Sequence, residues 1–299
     1  MNKAEHFKSG FVAVVGRPNV GKSTMINALI GDKIAIVSDK AQTTRNRIIC
    51  VYTDEEKQIV FMDTPGVHKP KHKLGEFMVD AAIESLKETE AVLFVVAGNE
   101  KRGPGDNFII EQLKRVKVPV FLVVNKIDTL QKEQVLEAIV SYQDAYPFAG
   151  VIPISAKNKE NLSELLNVLG EHLPEGPQYF PEDMITDQPE RLIISDIVRE
   201  KILLSTRDEI PHAIAVDVDE MKTRDDGTTY IRATIYCERD SQKGIIIGKK
   251  GALLKQLGAE ARADIQKLLA TKVYLDLWVK VKKDWRNKSG MLSELGYRK

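Results

Sequence analysis

The stretch Gly16-Arg17-Pro18-Asn19-Val20-Gly21-Lys22-Ser23 follows the apolar run 11–15 and precedes the helical run 25–29. The spacing G-x-x-x-x-G-K-S between a strand and a helix is typical of a loop whose backbone N–H groups surround phosphate oxygens. We expect Lys22 to reach the β- and γ-phosphates and the Ser23 hydroxyl to bind Mg²⁺. The positive dipole end of the following helix favours the same anion. The stretch therefore predicts a nucleotide site.

Around this loop, short β-branched runs alternate with amphipathic segments over the first 172 residues. This alternation predicts an α/β fold with a mostly parallel sheet and helices on both faces. A turn at 54–57 joins two of the runs into a hairpin, which predicts one antiparallel edge strand. The predicted strands are 11–15, 47–53, 58–62, 91–97, 118–124 and 150–154, and the predicted helices are roughly 22–30, 75–89, 106–116, 132–145 and 161–172.

The length of 299 residues and a proline-rich stretch indicate two domains. Four prolines and a glycine between 173 and 190 break regular structure, so we expect domains at 1–172 and 191–299 joined by a linker at 173–190. The second domain is predicted as α-β-β-α-α-β, an α+β arrangement. Its elements are a helix at 191–206, strands at 213–221 and 229–237, two helices around 248–269 and a strand at 272–281.

The charge is divided unevenly between the two halves. Residues 1–190 carry 22 basic and 27 acidic side chains, residues 191–299 carry 22 and 16, and residues 243–299 carry 14 and 5. This division favours a polyanionic partner for the second half, although a solvated lysine-rich surface explains the charge equally well.

The polar N-terminus and the shortness of every apolar run predict a cytoplasmic protein. Cys50 and Cys237 lie in apolar runs and are predicted to be buried, with no disulfide or structural metal.

Three groups of residues at predicted strand ends add to the nucleotide site. In Asp63-Thr64-Pro65-Gly66, the aspartate can hold Mg²⁺ through water and the glycine N–H can bond a γ-phosphate. Asn125-Lys126-Ile127-Asp128 favours guanine, because a carboxylate accepts from the N1–H and N2–H₂ donors that adenine lacks. We expect Asn125 to tie this loop to the phosphate loop and the stem of Lys126 to cover the ring. Ser155-Ala156-Lys157 closes the next strand and brings the Ala156 N–H near guanine O6. The predicted nucleotide-binding residues are Gly16, Asn19, Val20, Gly21, Lys22, Ser23, Thr24, Asp63, Thr64, Gly66, Asn125, Lys126, Asp128, Ser155, Ala156 and Lys157.

A G-x-x-G pattern lies between two helical segments of the second domain. It is Gly248-Lys249-Lys250-Gly251, preceded by the apolar run 245–247. A plain helix joint is the alternative, but the two strands before it and the basic helix after it favour an RNA-binding loop. The predicted RNA-binding residues are Ile245, Ile247, Gly248, Lys249, Lys250, Gly251, Lys255, Lys282 and Lys283. Trp285 falls in the basic tail that could add phosphate contacts, whereas Trp278 alternates with Leu277 and is predicted to lie in the core.

Together these motifs resemble the translation-factor-related small GTPases. With Pro18-Asn19 in the phosphate loop and the switch segment Gln42-Thr43-Thr44-Arg45-Asn46-Arg47, the whole chain resembles the bacterial Era family, which appends a type II KH domain. The resemblance implies a GTPase that binds GTP, GDP and Mg²⁺, contacts the 3′ end of 16S ribosomal RNA and assists assembly of the 30S subunit. It also implies that Thr43 or Thr44 senses the γ-phosphate and Mg²⁺.

The resemblance assigns the hydrolysis step to a small set of residues. The implied catalytic residues are Lys22, Thr44, Asp63 and Gly66, and the implied metal ligands are Ser23, Thr43, Thr44 and Asp63. In the best-known small GTPases a glutamine follows D-x-x-G, whereas here it is Val67, so we expect slow basal turnover. Because related GTPases hold K⁺ beside the residue at Asn19, K⁺ is a further candidate cofactor.

Three other interpretations remain open from the sequence. A tRNA-modification GTPase would need an additional cofactor domain, for which we expect no room in the chain. An RNA-binding module with a purely structural nucleotide pocket would not release phosphate over multiple turnovers. The basic tail also permits peripheral contact with the inner face of the cell membrane, without a lipidation signal to support it. We expect a monomer.

Overall fold

The computed structural model describes residues 6–40, 42–67 and 72–297. They form two compact units. The first comprises residues 6–35, 44–67 and 75–187, and the second comprises residues 36–40, 42–43, 72–74 and 188–297.

The first unit is built around a sheet covered on both faces. Its strands are β1 Lys8–Val15, β2 Ile48–Thr53, β3 Lys57–Asp63, β4 Ala91–Ala97, β5 Val120–Asn125 and β6 Gly150–Pro153. Its helices are α1 Lys22–Ile30, α2 Lys73–Glu84, α3 Pro104–Leu113, α4 Lys132–Gln143 and α5 Leu162–His172. Within the described residues the strand order is β2-β3-β1-β4-β5-β6, with β2 antiparallel to β3 and the other pairs parallel. The predicted α/β fold and its antiparallel edge strand are confirmed.

Burial explains why the strands of this sheet read as continuous apolar runs. Helices α1 and α5 pack on one face, and α2, α3 and α4 pack on the other. Both sides of a central strand are therefore covered, and every residue of β4 is buried. Because strands β1, β3, β5 and β6 are parallel, their carboxyl ends lie at one edge of the sheet, where the predicted motifs begin.

The proline-rich segment after α5 packs along the first unit as an extended strap. The Gln58 side chain fixes it, because its Oε1 accepts the N–H groups of Tyr179 and Phe180 at 2.8 and 3.0 Å. Its Nε2 donates to the Phe180 carbonyl at 2.9 Å. Farther along, Thr186 pairs with Cys50 of β2. Gln58 is fully buried, so its amide forms hydrogen bonds with these backbone groups and not with water.

The second unit has a three-stranded sheet with helices on one face. Its helices are α6 Glu190–Ser205, α7 Ile210–Ala213, α8 Asp240–Ile247, α9 Ala252–Leu269 and α10 Ser289–Glu294, and its strands are β7 Ala215–Thr223, β8 Thr229–Cys237 and β9 Val273–Val281. The order is β7-β8-β9, antiparallel and then parallel. The predicted α-β-β-α-α-β order is confirmed, with the two short helices α7 and α10 added.

The two tryptophans lie opposite to their predicted environments. Trp278 was predicted in the core, but its side chain is 54% exposed because Leu275, Leu277 and Val279 take the core-facing positions of β9. Trp285 was predicted to lie in a basic tail that could contact phosphates, but it is fully buried and donates from Nε1 to the Ala213 carbonyl at 2.9 Å.

Both cysteines are fully buried, as predicted, one in each unit. Cys50 lies in β2 and Cys237 ends β8, and burial raises the pKa of both thiols. Among the described helices, none combines the length and the apolar character needed to cross a bilayer.

Candidate nucleotide site and nucleic-acid interface

The two glycines of the phosphate loop are required for different reasons. A Cβ on Gly16 would lie 2.3 Å from the Val95 carbonyl oxygen. Gly21 has φ of 95°, and a Cβ there would lie 2.2 Å from Asn125 Nδ2. The loop can therefore approach β4 and the Asn125 side chain only where no side chain intervenes. Asn19, in the same loop, is left-handed with φ of 65°.

The Lys22 ammonium folds over the phosphate loop. Its Nζ donates to the Gly16 carbonyl at 3.1 Å and to the Arg17 carbonyl at 3.0 Å. Burial lowers the pKa of Lys22 to about 8, although the Asp63 carboxylate opposes this shift. A bound phosphate would compete with these two carbonyls for the ammonium and would favour its charged form.

Three oxygen-bearing side chains meet at the carboxyl end of β3. Asp63 Oδ2 accepts from Ser23 Oγ at 2.8 Å and from Thr44 Oγ1 at 3.5 Å, and the two hydroxyl oxygens are 3.0 Å apart. Asp63 Oδ1 is buried and has no hydrogen-bond partner among the described residues. Burial raises the pKa of Asp63 to about 6, although the Lys22 ammonium and the hydrogen bonds from Ser23 and Thr44 oppose this shift. Two hydroxyl groups and a buried carboxylate oxygen without a hydrogen-bond donor are hard oxygen ligands that fit Mg²⁺.

The two candidate switch threonines are in different surroundings. Thr44 is the one beside Ser23 and Asp63. The Thr43 hydroxyl instead donates to the Lys40 carbonyl and contacts Ser38 Oγ, each at 2.7 Å. The sequence left both open because the two residues have the same side chain and differ only in where the fold places it.

The D-x-x-G segment packs directly against the phosphate loop. A Cβ on Gly66 would lie 2.8 Å from Pro18 Cα, and the Val67 N–H donates to the Gly16 carbonyl at 3.2 Å. Val67 is buried among apolar side chains and therefore cannot orient a water molecule. Thr64 is buried too, and its hydroxyl donates to the Val14 carbonyl, so it supports the loop.

Asn125 joins the phosphate loop to the two loops predicted to bind guanine. Its Nδ2 donates to the Val20 carbonyl at 2.9 Å, as predicted, and its Oδ1 accepts from the N–H groups of Lys126 and Ala156 at 2.8 and 3.0 Å. The Ala156 N–H, predicted near guanine O6, is thus bonded to Asn125 in this structure. The Asn125 side chain is buried, so it holds the three loops at fixed separation.

The Asp128 carboxylate is exposed, and one of its two oxygens accepts a hydrogen bond from a neighbouring loop. Its Oδ1 accepts from Ser155 Oγ at 2.7 Å, while Ser155 Oγ accepts the Asn158 N–H at 3.1 Å. This leaves Asp128 Oδ2 able to accept from a base. Of the other predicted residues, Val20 is buried, Thr24 is partly buried in α1, and Lys157 is exposed beyond Ala156.

The G-x-x-G loop of the second unit joins α8 to α9 through left-handed backbone. Gly248, Lys250 and Gly251 have φ of 73°, 53° and 78°. A Cβ on Gly248 would lie 2.8 Å from Leu253 Cβ, so glycine lets the loop close against α9. Lys249 and Lys250 are exposed, as are Ile245 in α8 and Lys255 in α9, whereas Ile247 is half-buried.

A groove of about 410 Å³ begins at this loop. It is lined by Gly251, Leu254, Lys255, Arg262, Leu275 and Leu277, among others, and thus by α9 and β9. The groove therefore lies along the helix and the strand that follow the loop, not along α8. Leu254, Gly258 and Arg262 follow at intervals of four, which places them on one face of α9 and could have identified the groove.

The basic tail is more neutralised than its sequence indicates. Lys282 Nζ pairs with Glu294 at 3.0 Å and lies over the Tyr236 ring, and Arg286 pairs with Glu238 at 2.6 Å. Lys283 is exposed.

Comparisons with known proteins agree with this geometry. A family model described as a 50S ribosome-binding GTPase matches residues 11–126, and a KH domain model matches residues 209–286. The fold and site define a P-loop GTPase joined to a KH domain. Two solved structures, each 43% identical, cover 98% of this chain and 100% of their own with a TM-score of 0.95. One is Era with MgGDPNP and nucleotides 1506–1542 of 16S ribosomal RNA, and the other is a tyrosine-to-alanine variant of Aquifex aeolicus Era bound to GDP·AlF4⁻. The chain belongs to the Era family, and it is a GTPase.

Proposed function

We propose that this GTPase binds the single-stranded 3′ end of 16S ribosomal RNA and thereby assists assembly of the 30S subunit. The observation that carries the proposal is the G-x-x-G loop, where two exposed lysines lie at the mouth of a groove with apolar and basic walls. Similarity to Era, whose structure includes a 16S fragment, supports this choice of RNA.

The loop and the groove suit different parts of an RNA strand. Lys249 and Lys250 provide charge for phosphates, and the glycines allow the sugar–phosphate backbone to approach closely. Leu254, Leu275 and Leu277 offer apolar contact for bases, and Arg262 can donate to base edges or phosphates. Backbone contacts would supply affinity, and groove contacts would supply sequence preference.

The proposal predicts sequence-selective, salt-dependent binding. The full chain should bind a labelled single-stranded RNA with the sequence of the 16S 3′ end more tightly than a scrambled RNA of equal composition. A loop of this kind clamps about four phosphates, and each phosphate contact contributes about −0.7 to the slope of log K against log[salt]. The total slope should therefore be about −3. Fluorescence anisotropy across a salt series measures both quantities. Equal affinity for the two RNAs would contradict the proposal while leaving the GTPase assignment intact.

We also propose that Ser23, Thr44 and Asp63 hold the Mg²⁺ that accompanies the nucleotide, either directly or through water. Their shared hydrogen bonds and the unmatched Asp63 Oδ1 support this set over one that includes Thr43. When bound, the cation neutralises charge on the β- and γ-phosphate oxygens. Lys22 would bind the same phosphates, and the Gly66 N–H would bond the γ-phosphate.

Slow basal hydrolysis with a contribution from K⁺ fits the buried Val67. With an apolar residue after D-x-x-G, the attacking water must be oriented by backbone groups or by a partner, so we propose that K⁺ beside Asn19 adds positive charge over the phosphates. Wild-type turnover should be faster in KCl than in NaCl at equal ionic strength, and the difference should vanish in Asn19→Ala. Multiple-turnover phosphate release measures this. Equal wild-type rates in the two salts would remove K⁺ from the mechanism.

The basic tail supports a membrane partner less well than the G-x-x-G loop supports RNA. Lys282 and Arg286 are paired with Glu294 and Glu238, and Trp285 is buried. These contacts remove charge and an aromatic side chain from the surface that would meet anionic lipid. RNA at the G-x-x-G loop is therefore the partner that we propose.

A further inference from the structure

The loop between β4 and α3 carries a carboxylate that contacts both ends of the nucleotide site. Glu100 Oε2 lies 2.9 Å from Arg17 Nη2, and Glu100 Oε1 lies 3.7 Å from Lys126 Nζ. Arg17 belongs to the phosphate loop, and Lys126 belongs to the loop predicted to cover guanine. One side chain outside both motifs therefore links them.

The Arg17 end of this link is firmly held. Asp106 Oδ1 accepts from Arg17 Nε at 2.9 Å, and Asp106 Oδ2 accepts the Gly103 N–H at the start of α3 at 2.8 Å. The Asp106 side chain is fully buried, so Arg17 supplies the charge that this carboxylate needs. A Cβ on Gly105 would lie 2.8 Å from Arg17 Cδ, so the arginine stem also packs closely on α3.

The Lys126 end is also tied to the same loop. The Gly98 N–H donates to the Asn125 carbonyl at 2.8 Å, immediately before Lys126. Lys126 is left-handed with φ of 69°, and its side chain is 30% exposed, so its ammonium position is not fixed by burial. The Glu100 carboxylate gives that ammonium a preferred position, which lets the stem lie along the ring.

We infer that Glu100 is a positioning residue that couples the phosphate loop to the guanine loop through Arg17 and Lys126. The coupling matters for a ligand that occupies both loops at once. On the phosphate side it is transmitted by the Arg17 main chain, whose carbonyl accepts from Lys22. It acts on GDP and GTP alike, because both ligands have the same base and the same inner phosphates.

A Glu100→Gln variant removes the charge and keeps the size of the side chain. Because the pairs are 23–40% exposed, we expect an effect of about two- to fivefold, in the range of partly exposed ion pairs. GDP and GTP should dissociate faster by the same factor, and guanosine affinity should change less. The control is Glu111→Gln, which removes an exposed carboxylate near the end of α3 that pairs with Lys114, the residue after that helix.

A double-mutant cycle separates coupling from general destabilisation. If Glu100 acts through Lys126, Glu100→Gln should speed the release of a fluorescent GDP analogue less in the Lys126→Met background than in the wild-type background. Thermal melting of each variant reports changes in stability. The inference is overturned if Glu100→Gln releases GDP at the rate of Glu111→Gln, or if its effect is unchanged in the Lys126→Met background. It is overturned as well if guanosine weakens as much as GDP.

Discussion

Asp128→Asn is expected to weaken GTP binding by about a hundredfold or more and to make xanthosine triphosphate the preferred ligand. The guanine N1–H and N2–H₂ groups would each face a donor, and a buried mismatch costs about 1–3 kcal/mol. Sites built to hydrogen-bond a ligand group discriminate strongly when the match is lost. Xanthine has an oxygen at C2, which would accept from the new amide.

Ser155 determines how the new amide is oriented. Its hydroxyl accepts the Asn158 N–H and donates to Asp128 Oδ1, so the substituted side chain keeps its oxygen at Ser155 and directs its NH₂ toward the base. Titrations with fluorescent GTP and xanthosine analogues measure the change. The matched control is Asp144→Asn, which changes an exposed aspartate directly after α4. Unchanged GTP affinity in Asp128→Asn would refute the assignment of this loop.

The double variant Lys249→Asp with Lys250→Asp is expected to lose at least about tenfold in affinity for the 16S 3′-end RNA while hydrolysing GTP normally. Two attractive charges become two repulsive ones beside the phosphates, and the salt slope should fall by about 0.7 for each lost contact. The fold should persist, since both lysines are exposed and aspartate tolerates the left-handed backbone at position 250.

The matched control for this variant is Lys132→Asp with Lys159→Asp. It makes the same change in charge on the first unit, again with one lysine of positive φ, at position 159. Loss of RNA binding in both variants would indicate a non-specific charge effect. If the Lys249–Lys250 variant binds with wild-type affinity and salt dependence, the loop is only a helix joint, and the contact lies on the tail after Lys280.

Local spacing was sufficient to predict the strands, the helices and the loops at their ends. The phosphate loop, Asp63 and Asn125 each follow directly from an apolar strand, and parallel strands bring such ends together. The choice between Thr43 and Thr44 could not be made in this way, since it depends on which hydroxyl turns toward Ser23.

Contacts distant in sequence were not predictable from spacing. Gln58 appears as an ordinary strand residue, and its bonds to Tyr179 and Phe180 arise only when the strap passes over β3. Glu100 and Asp106 carry no motif, yet they hold Arg17. Trp278 was misassigned because alternation identifies two faces of a strand without saying which one is covered.

Each unit contains one of the two buried cysteines, and the reactivity of that cysteine reports local opening of the unit. Cys50 and Cys237 are fully covered, and burial disfavours the thiolate in each, so a thiol reagent reacts only when the surrounding strands separate. The rate at which each cysteine is modified under native conditions therefore measures the opening free energy of one sheet at a time. Added GTP should slow modification of Cys50, and added RNA should slow that of Cys237, because each ligand binds only the closed form of its own unit.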